Sequence, residues 1–246
     1  MSNFRTVDKY SNLNDPDLLN DMATAPVSED FERKFISKTY LYMVLALAIT
    51  AAVGYFTAST GLILSLMRSP LIFFGLIVAE LVVVFWLSSQ ILRLSTTMAL
   101  FGFLLYSILN GLTLSSIFLL YTQTSIVTAF LITAGMFLVM SIVGFTTKTN
   151  LMGFGGYLIT GLFGIIIASI VNIFLKSSTL YWIISAGGVL IFTILIAYST
   201  QKLKILAKIA AFEQGSARFA ILAALELYLN FINLLLYVLR FLGKKR

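Results

Sequence analysis

Residues 124–146 read TSIVTAFLITAGMFLVMSIVGFT, an apolar run without one charged residue. About 20 apolar residues in a helix cross the hydrocarbon core of a bilayer. The run shows no alternation of polar and apolar residues, so a membrane β-strand does not fit it. In hydrocarbon the backbone amides must bond within their own segment, which leaves the α-helix. Working outward, six further runs repeat this pattern, at 36–59, 70–89, 96–121, 154–175, 179–201 and 217–242. The fold class is therefore all-α: a polytopic membrane protein of seven transmembrane helices.

Composition agrees. The chain of 246 residues is 59% hydrophobic and 11% charged, against roughly a quarter charged in soluble domains. Cysteine and histidine are absent. That excludes disulfides, thiolate and imidazole metal sites, and histidine-activated nucleophiles. No Gly-x-Ser-x-Gly elbow occurs either, so no enzyme activity and no cofactor are expected. The net charge of +7 sits at the ends of apolar runs, where it sets orientation and meets the lipid bilayer. Without a basic stripe interleaved with aromatics, no nucleic acid is expected as a partner.

Residues 1–34 are polar and carry seven of the ten acidic residues. They read as a disordered or loosely docked acidic arm, with residues 35–246 as one membrane domain. Short connections separate the runs: Arg68-Ser69-Pro70, Lys148-Thr149-Asn150 and Lys176-Ser177-Ser178. The one sizeable loop is expected at 202–216, holding Lys202, Lys204, Lys208 and Glu213. Glycines gather in the fifth and sixth runs (Gly153, Gly155, Gly156, Gly161, Gly164, Gly187 and Gly188) and predict close helix packing.

Lysine and arginine bias gives the orientation. With seven crossings the N-terminal side holds eleven basic residues and the other side six, so the N-terminus is expected in the cytoplasm and the protein in the cell (inner) membrane. The basic tail at Lys244-Lys245-Arg246 fits less well. A re-entrant last segment would change the split to fifteen against two, so six crossings plus a re-entrant segment stands as the alternative.

Beyond position 34 the acidic residues are Glu80, Glu213 and Glu226. Glu80 lies in mid-run and Glu226 in the last run. Ionisable groups in a membrane are costly and normally face the bundle interior or a water-filled path. Glu226, Asn230 and Asn233 follow at helical spacing and share a face. Partners are available on the sixth run at Tyr198, Ser199, Thr200 and Gln201, and on the third at Asn110, Thr113, Ser115 and Ser116. A structural hydrogen-bond cluster and a hydrated ion path would use these same groups.

Ile196-Ala197-Tyr198-Ser199-Thr200-Gln201 looks like an AYDTQ motif, and Ala224-Leu225-Glu226-Leu227-Tyr228-Leu229-Asn230-Phe231-Ile232-Asn233-Leu234 looks like AL-LYLDFINLF. Leu109-Asn110-Gly111-Leu112-Thr113-Leu114-Ser115 resembles LNGITLS, and Thr133-Ala134-Gly135-Met136-Phe137 with Thr147-Lys148-Thr149-Asn150-Leu151 also fits. Together, from about residue 30 onward, the chain resembles the Bax inhibitor family. The resemblance implies a central C-terminal helix wrapped by six others and a pH-sensitive calcium leak. It also implies links to cell-death suppression in animals and to modulation of a membrane-bound protease in some bacteria.

One departure bears on mechanism. The family's pH sensor is a pair of aspartates, whose sites here hold Ser199 and Asn230. Two close carboxylates share a proton and titrate as a unit; a hydroxyl and an amide bond to each other without titrating. The family's second-run acid is matched by Glu80, and Arg93 is the nearest candidate for its basic partner. With this departure the resemblance implies a calcium or cation leak whose proton switch is disabled, the leak persisting without gating or being lost. Glu80, Glu226, Ser199 and Asn230 lie on its path or sensor, with Asn110, Tyr198 and Asn233 in support. Calcium binding would be weak, because the ion prefers several hard oxygen ligands. The alternative is a non-transporting modulator of a membrane protease or of a stress or cell-death factor, acting through the acidic arm. A secondary transporter would show inverted repeats, and none is visible.

Overall fold

The structure, a computed structural model, describes residues 27–212 and 216–244. Seven of its helices are long and apolar enough to cross a membrane, and no β-strand occurs among the described residues. The helices are α1 (Glu29–Ser59), α2 (Leu62–Arg68), α3 (Pro70–Gln90), α4 (Thr96–Leu114), α5 (Ile117–Leu120), α6 (Gln123–Thr146), α7 (Gly155–Leu175), α8 (Ser178–Phe212) and α9 (Ser216–Leu242). The crossing segments are α1, α3, α4 with α5, α6, α7, α8 and α9.

Local chemistry sets the boundaries. Glu29, Asp30 and Glu32 fill the first turn of α1, where carboxylates favour the positive end of the helix dipole. Pro70 opens α3, where its missing N–H costs nothing. Ser95 and Thr122 cap α4 and α6 by accepting from Met98 N and Ser125 N. At the end of α7, Lys176 takes a left-handed conformation (φ 50°) and Asn172 Oδ1 accepts from Ser177 N at 3.0 Å. The predicted third run is broken at Ser115-Ser116, where α4 gives way to the short α5.

Helix α9 is the axis of the bundle. Of its most apolar stretch 72% is buried inside the protein, against 6–33% for the other crossing segments. It packs directly on α8, α1, α6 and α4; α3 rests against α4, and α7 against α8, completing the ring. Alone among the crossing helices, α9 thus meets protein rather than lipid around most of its circumference.

This placement removes the re-entrant alternative. Arg218, at the start of α9, donates to Leu92 O and Leu94 O in the α3–α4 turn. At its far end the backbone N of Lys244 donates to Ser125 Oγ, and Thr122 N donates to Lys244 O. The turn before α4 and the turn before α6 lie at opposite ends of α4, so α9 runs the full height of the bundle.

The loop expected at 202–216 is corrected as well. Helix α8 continues to Phe212, because Leu203, Ile205, Leu206, Ala207, Ile209 and Ala210 extend its buried face past the lysines. The lysines reach polar partners from within the helix: Lys204 Nζ donates to Phe145 O at 2.6 Å, at the carbonyl end of α6. Glu213 and residues 1–26 of the acidic arm lie outside the described residues, while 29–34 belong to α1.

The glycine reading is partly redirected. A Cβ at Gly188 would enter the Tyr237 ring, and one at Gly155 would meet the Tyr198 ring. Nothing lies within 4 Å of a Cβ at Gly153, Gly156 or Gly164. The closest approaches of one helix to the backbone of another fall elsewhere. A Cβ at Gly144 (α6) would sit 2.5 Å from Ala197 O (α8), and one at Gly111 (α4) 2.8 Å from Thr50 O (α1).

Candidate functional site

Two buried polar clusters lie on different sides of α9. The first is formed with α8. Asn230 Nδ2 donates to Ser199 Oγ at 2.8 Å, and Ser199 Oγ donates to Glu226 Oε1 at 2.8 Å. Lys202 Nζ closes the chain on Glu226 Oε2 at 3.2 Å. Ser199 and Asn230 are 4% and 6% exposed, and the Lys202 and Glu226 side chains 12% and 28%. The positions follow helical spacing: Glu226 and Asn230 are one turn apart on α9, as are Ser199 and Lys202 on α8. Four groups thus form a continuous seam from an uncharged core pair to an ion pair one turn nearer the α8–α9 connection.

In this seam Ser199 uses its single proton on Glu226 and a lone pair on Asn230, so the direction of the bonds is fixed by the carboxylate. The Ser199–Asn230 contact therefore holds without any proton being shared. Each group has a defined donor or acceptor, as buried polar groups require.

The second cluster joins α3, α4, α1 and α9. Asn110 Nδ2 donates to Glu80 Oε1 and lies 3.5 Å from the Tyr106 hydroxyl. Tyr106 packs edge-on against Tyr228 of α9, ring centroids 5.9 Å apart. The Tyr228 hydroxyl is 2.7 Å from Thr50 Oγ1, which donates to Ser107 O at 2.9 Å. Tyr228 is fully buried and ties the central helix to α1 and α4. The Asn110 Oδ1 atom is buried without a partner.

The sequence-predicted residues are thus divided between two places. Ser199, Asn230 and Glu226 come together; Glu80 and Asn110 form the other cluster. Asn233 joins neither, since its Nδ2 donates to Leu229 O of its own helix at 2.8 Å. Tyr198 is buried against Gly155 at the start of α7. Gln201 accepts from Leu151 N at 2.7 Å and donates to Thr149 O at 2.9 Å, which ties α8 to the α6–α7 turn. Arg93 is exposed; Lys202 pairs with Glu226, in the other cluster from Glu80. Five participants were missed: Lys202, Tyr228, Tyr106, Thr50 and Ser107. Lys202 read as a loop residue because it follows an apolar run, and the Glu226–Lys202 pairing needs the relative rotation of two helices. Tyr228 gave no signal within a run of leucines.

The arrangement now bears comparison with known proteins. Residues 32–246 match the family described as inhibitor of apoptosis-promoting Bax1. The chain belongs to the Bax inhibitor family. Inner membrane protein YbhL of Escherichia coli (strain K12) is 44% identical over 215 residues, covering 86% of this chain and 92% of the relative. A protein of Borreliella burgdorferi is 46% identical over 217 residues, 87% and 94% of the two chains. A membrane protein of Streptococcus pyogenes serotype M1 is 36% identical over 229 residues, 92% and 99%. The match takes in all seven crossing helices, so the chain is a multi-pass membrane protein of this Bax inhibitor family.

As for ions, no group of three or more acidic, histidine or cysteine side chains occurs among the described residues. Each Bax inhibitor cluster offers one carboxylate, with amide and hydroxyl oxygens around it. That set falls short of the six to eight oxygens, carboxylates among them, of a resident calcium site.

Proposed function

We propose that this Bax inhibitor family member passes cations, calcium being the candidate cargo, by a slow leak that pH does not gate. It performs no enzyme chemistry and carries no resident cofactor. The observation that carries this reading is the seam Asn230–Ser199–Glu226–Lys202, with 2.8 Å bonds at its core. In it a hydroxyl–amide pair stands where the family's sensor has two acids. The seam acts as a fixed latch between α8 and α9. One carboxylate per cluster suits a transported ion, which must be bound weakly enough to leave.

Glu80 is assigned to the cation path. It projects from α3, a helix that packs on α4 rather than on the bundle axis, so the path opens where α3 moves from α4. The Glu80→Gln variant keeps the shape of the side chain and removes the charge. Calcium entry into proteoliposomes carrying this variant is expected to fall several-fold, and unchanged entry would take Glu80 off the path.

The N-terminus is assigned to the cytoplasm, on the eleven-to-six basic bias once α9 counts as a full crossing. The cell (inner) membrane is the expected location, as the name of the Escherichia coli relative states for that protein. A second reading, a non-transporting modulator of a membrane protease or stress factor, draws support from one observation. The two polar clusters lie on different sides of α9, flanked by the buried Leu225 and Leu227, so they do not form one continuous polar path. Absence of flux in both the native protein and the Glu80→Gln variant favours this second reading.

A further inference from the structure

An apolar cavity of ≈ 350 Å³ opens between α1 and α6 and reaches the bundle axis. Its walls include Ala51 on α1, Phe118 on α5, Val127 on α6, and Phe231 and Leu235 on α9, with Thr50 at its inner end. Thr50 is already bonded to Tyr228 and Ser107, so the cavity presents no free polar group there. At one end of the bundle α1 and α6 meet, Tyr40 packing against Phe137 and Phe145. At the other they part, and the gap is framed by the Tyr55–Phe118 and Phe130–Phe231 ring pairs. Tyr55, Val127 and Phe130 are on the exposed outer surface, which is the lipid face.

The lining decides what can enter. It is almost wholly apolar, and an apolar cavity of even ~150 Å³ prefers hydrocarbon to water; a flexible hydrocarbon chain suits it. The bilayer supplies that hydrocarbon at the mouth. Charge complementarity indicates which lipid. Lys244 is exposed and its backbone is pinned to Thr122 and Ser125, within a turn of the wall residue Val127. An anionic headgroup above the cavity would meet this ammonium.

We propose that the cavity holds one acyl chain of an anionic phospholipid, whose phosphate lies at Lys244 while the chain reaches the central helix between α1 and α6. The chain would fill space beside the Thr50–Tyr228 bond and so stabilise the contact of α1 with the axis.

The test uses the full chain in proteoliposomes with phosphatidylglycerol bearing a diazirine near the end of one acyl chain. After photolysis, labelled peptides are mapped by mass spectrometry. The 231–235 segment of α9, buried as it is, should label as heavily as the lipid-facing surface of α3 around Phe85. Ala51→Trp fills the cavity and should lower α9 labelling several-fold while leaving α3 unchanged. Val127→Trp, at the exposed mouth, gives the same reading without burdening the core should the first variant fail to assemble. The phosphatidylcholine analogue should label α9 several-fold less. Background labelling of α9, labelling that neither variant lowers, or equal labelling by phosphatidylcholine would overturn the proposal.

Discussion

Replacing Lys202 by methionine should lower the stability of the protein by roughly 2–3 kcal/mol, read as an earlier thermal unfolding midpoint in detergent micelles. The substitution keeps the length and apolar stem of the side chain but leaves the Glu226 carboxylate without its cation. Breaking a buried ion pair from one side typically costs about 3–5 kcal/mol, because a charge is left uncompensated. Here the side chains are 12% and 28% exposed, so water recovers part of that cost. Glu226 would also keep only Ser199 as a donor. Removing both charges, in Lys202→Met with Glu226→Leu, should recover most of the loss, since an apolar pair of similar volume often equals a buried ion pair. A double variant as unstable as the single one would mean that the loss does not come from an uncompensated Glu226 charge.

The second large effect is steric. Gly144→Val should destabilise the protein by about 1–3 kcal/mol or more, in the range of overpacked cores. A Cβ at this position would lie 2.5 Å from Ala197 O and 2.8 Å from Thr200 Cβ. The first of these is backbone and cannot swing aside as the end of a long side chain does. Helix α8 would have to move off α6 at the turn that carries Ser199. The added methyl groups therefore disturb the polar seam as well as the packing. Gly164→Ala is the matched control: nothing lies within 4 Å of a Cβ there, and alanine is the better helix former. Unfolding midpoints of the two variants should differ clearly, and equal midpoints would mean that α6 and α8 adjust freely.

What could be read from the sequence, and what could not, follows from the physics of lipid. Apolar runs announce crossing helices because hydrocarbon permits little else; all seven were legible, including the last. The pairing of Ser199 with Asn230 was legible through a family resemblance. In the structure Asn230 Nδ2 donates to Ser199 Oγ at 2.8 Å. The helical spacing of Glu226, Asn230 and Asn233 suggested one polar face, yet Asn233 bonds its own backbone. Spacing fixes which residues share a face but not what that face meets. For the same reason the partnership of Glu80 with Asn110, both singled out in advance, required knowing that α3 packs on α4. Lys202 was misplaced because a lysine after an apolar run marks a helix end in most membrane segments. In α8 the buried Leu203, Ile205 and Leu206 carry the helix onward, and the lysine is drawn back to Glu226.

The central claim concerns Ser199 and Asn230, a pair that bonds without a shared proton. The most direct measurement is calcium entry into proteoliposomes of the purified protein, followed from mildly acid to mildly alkaline pH. The native chain should give a shallow profile, and Ser199→Asp with Asn230→Asp together should make it steep by restoring two carboxylates that compete for one proton. A native profile that already steepens with pH would contradict the account.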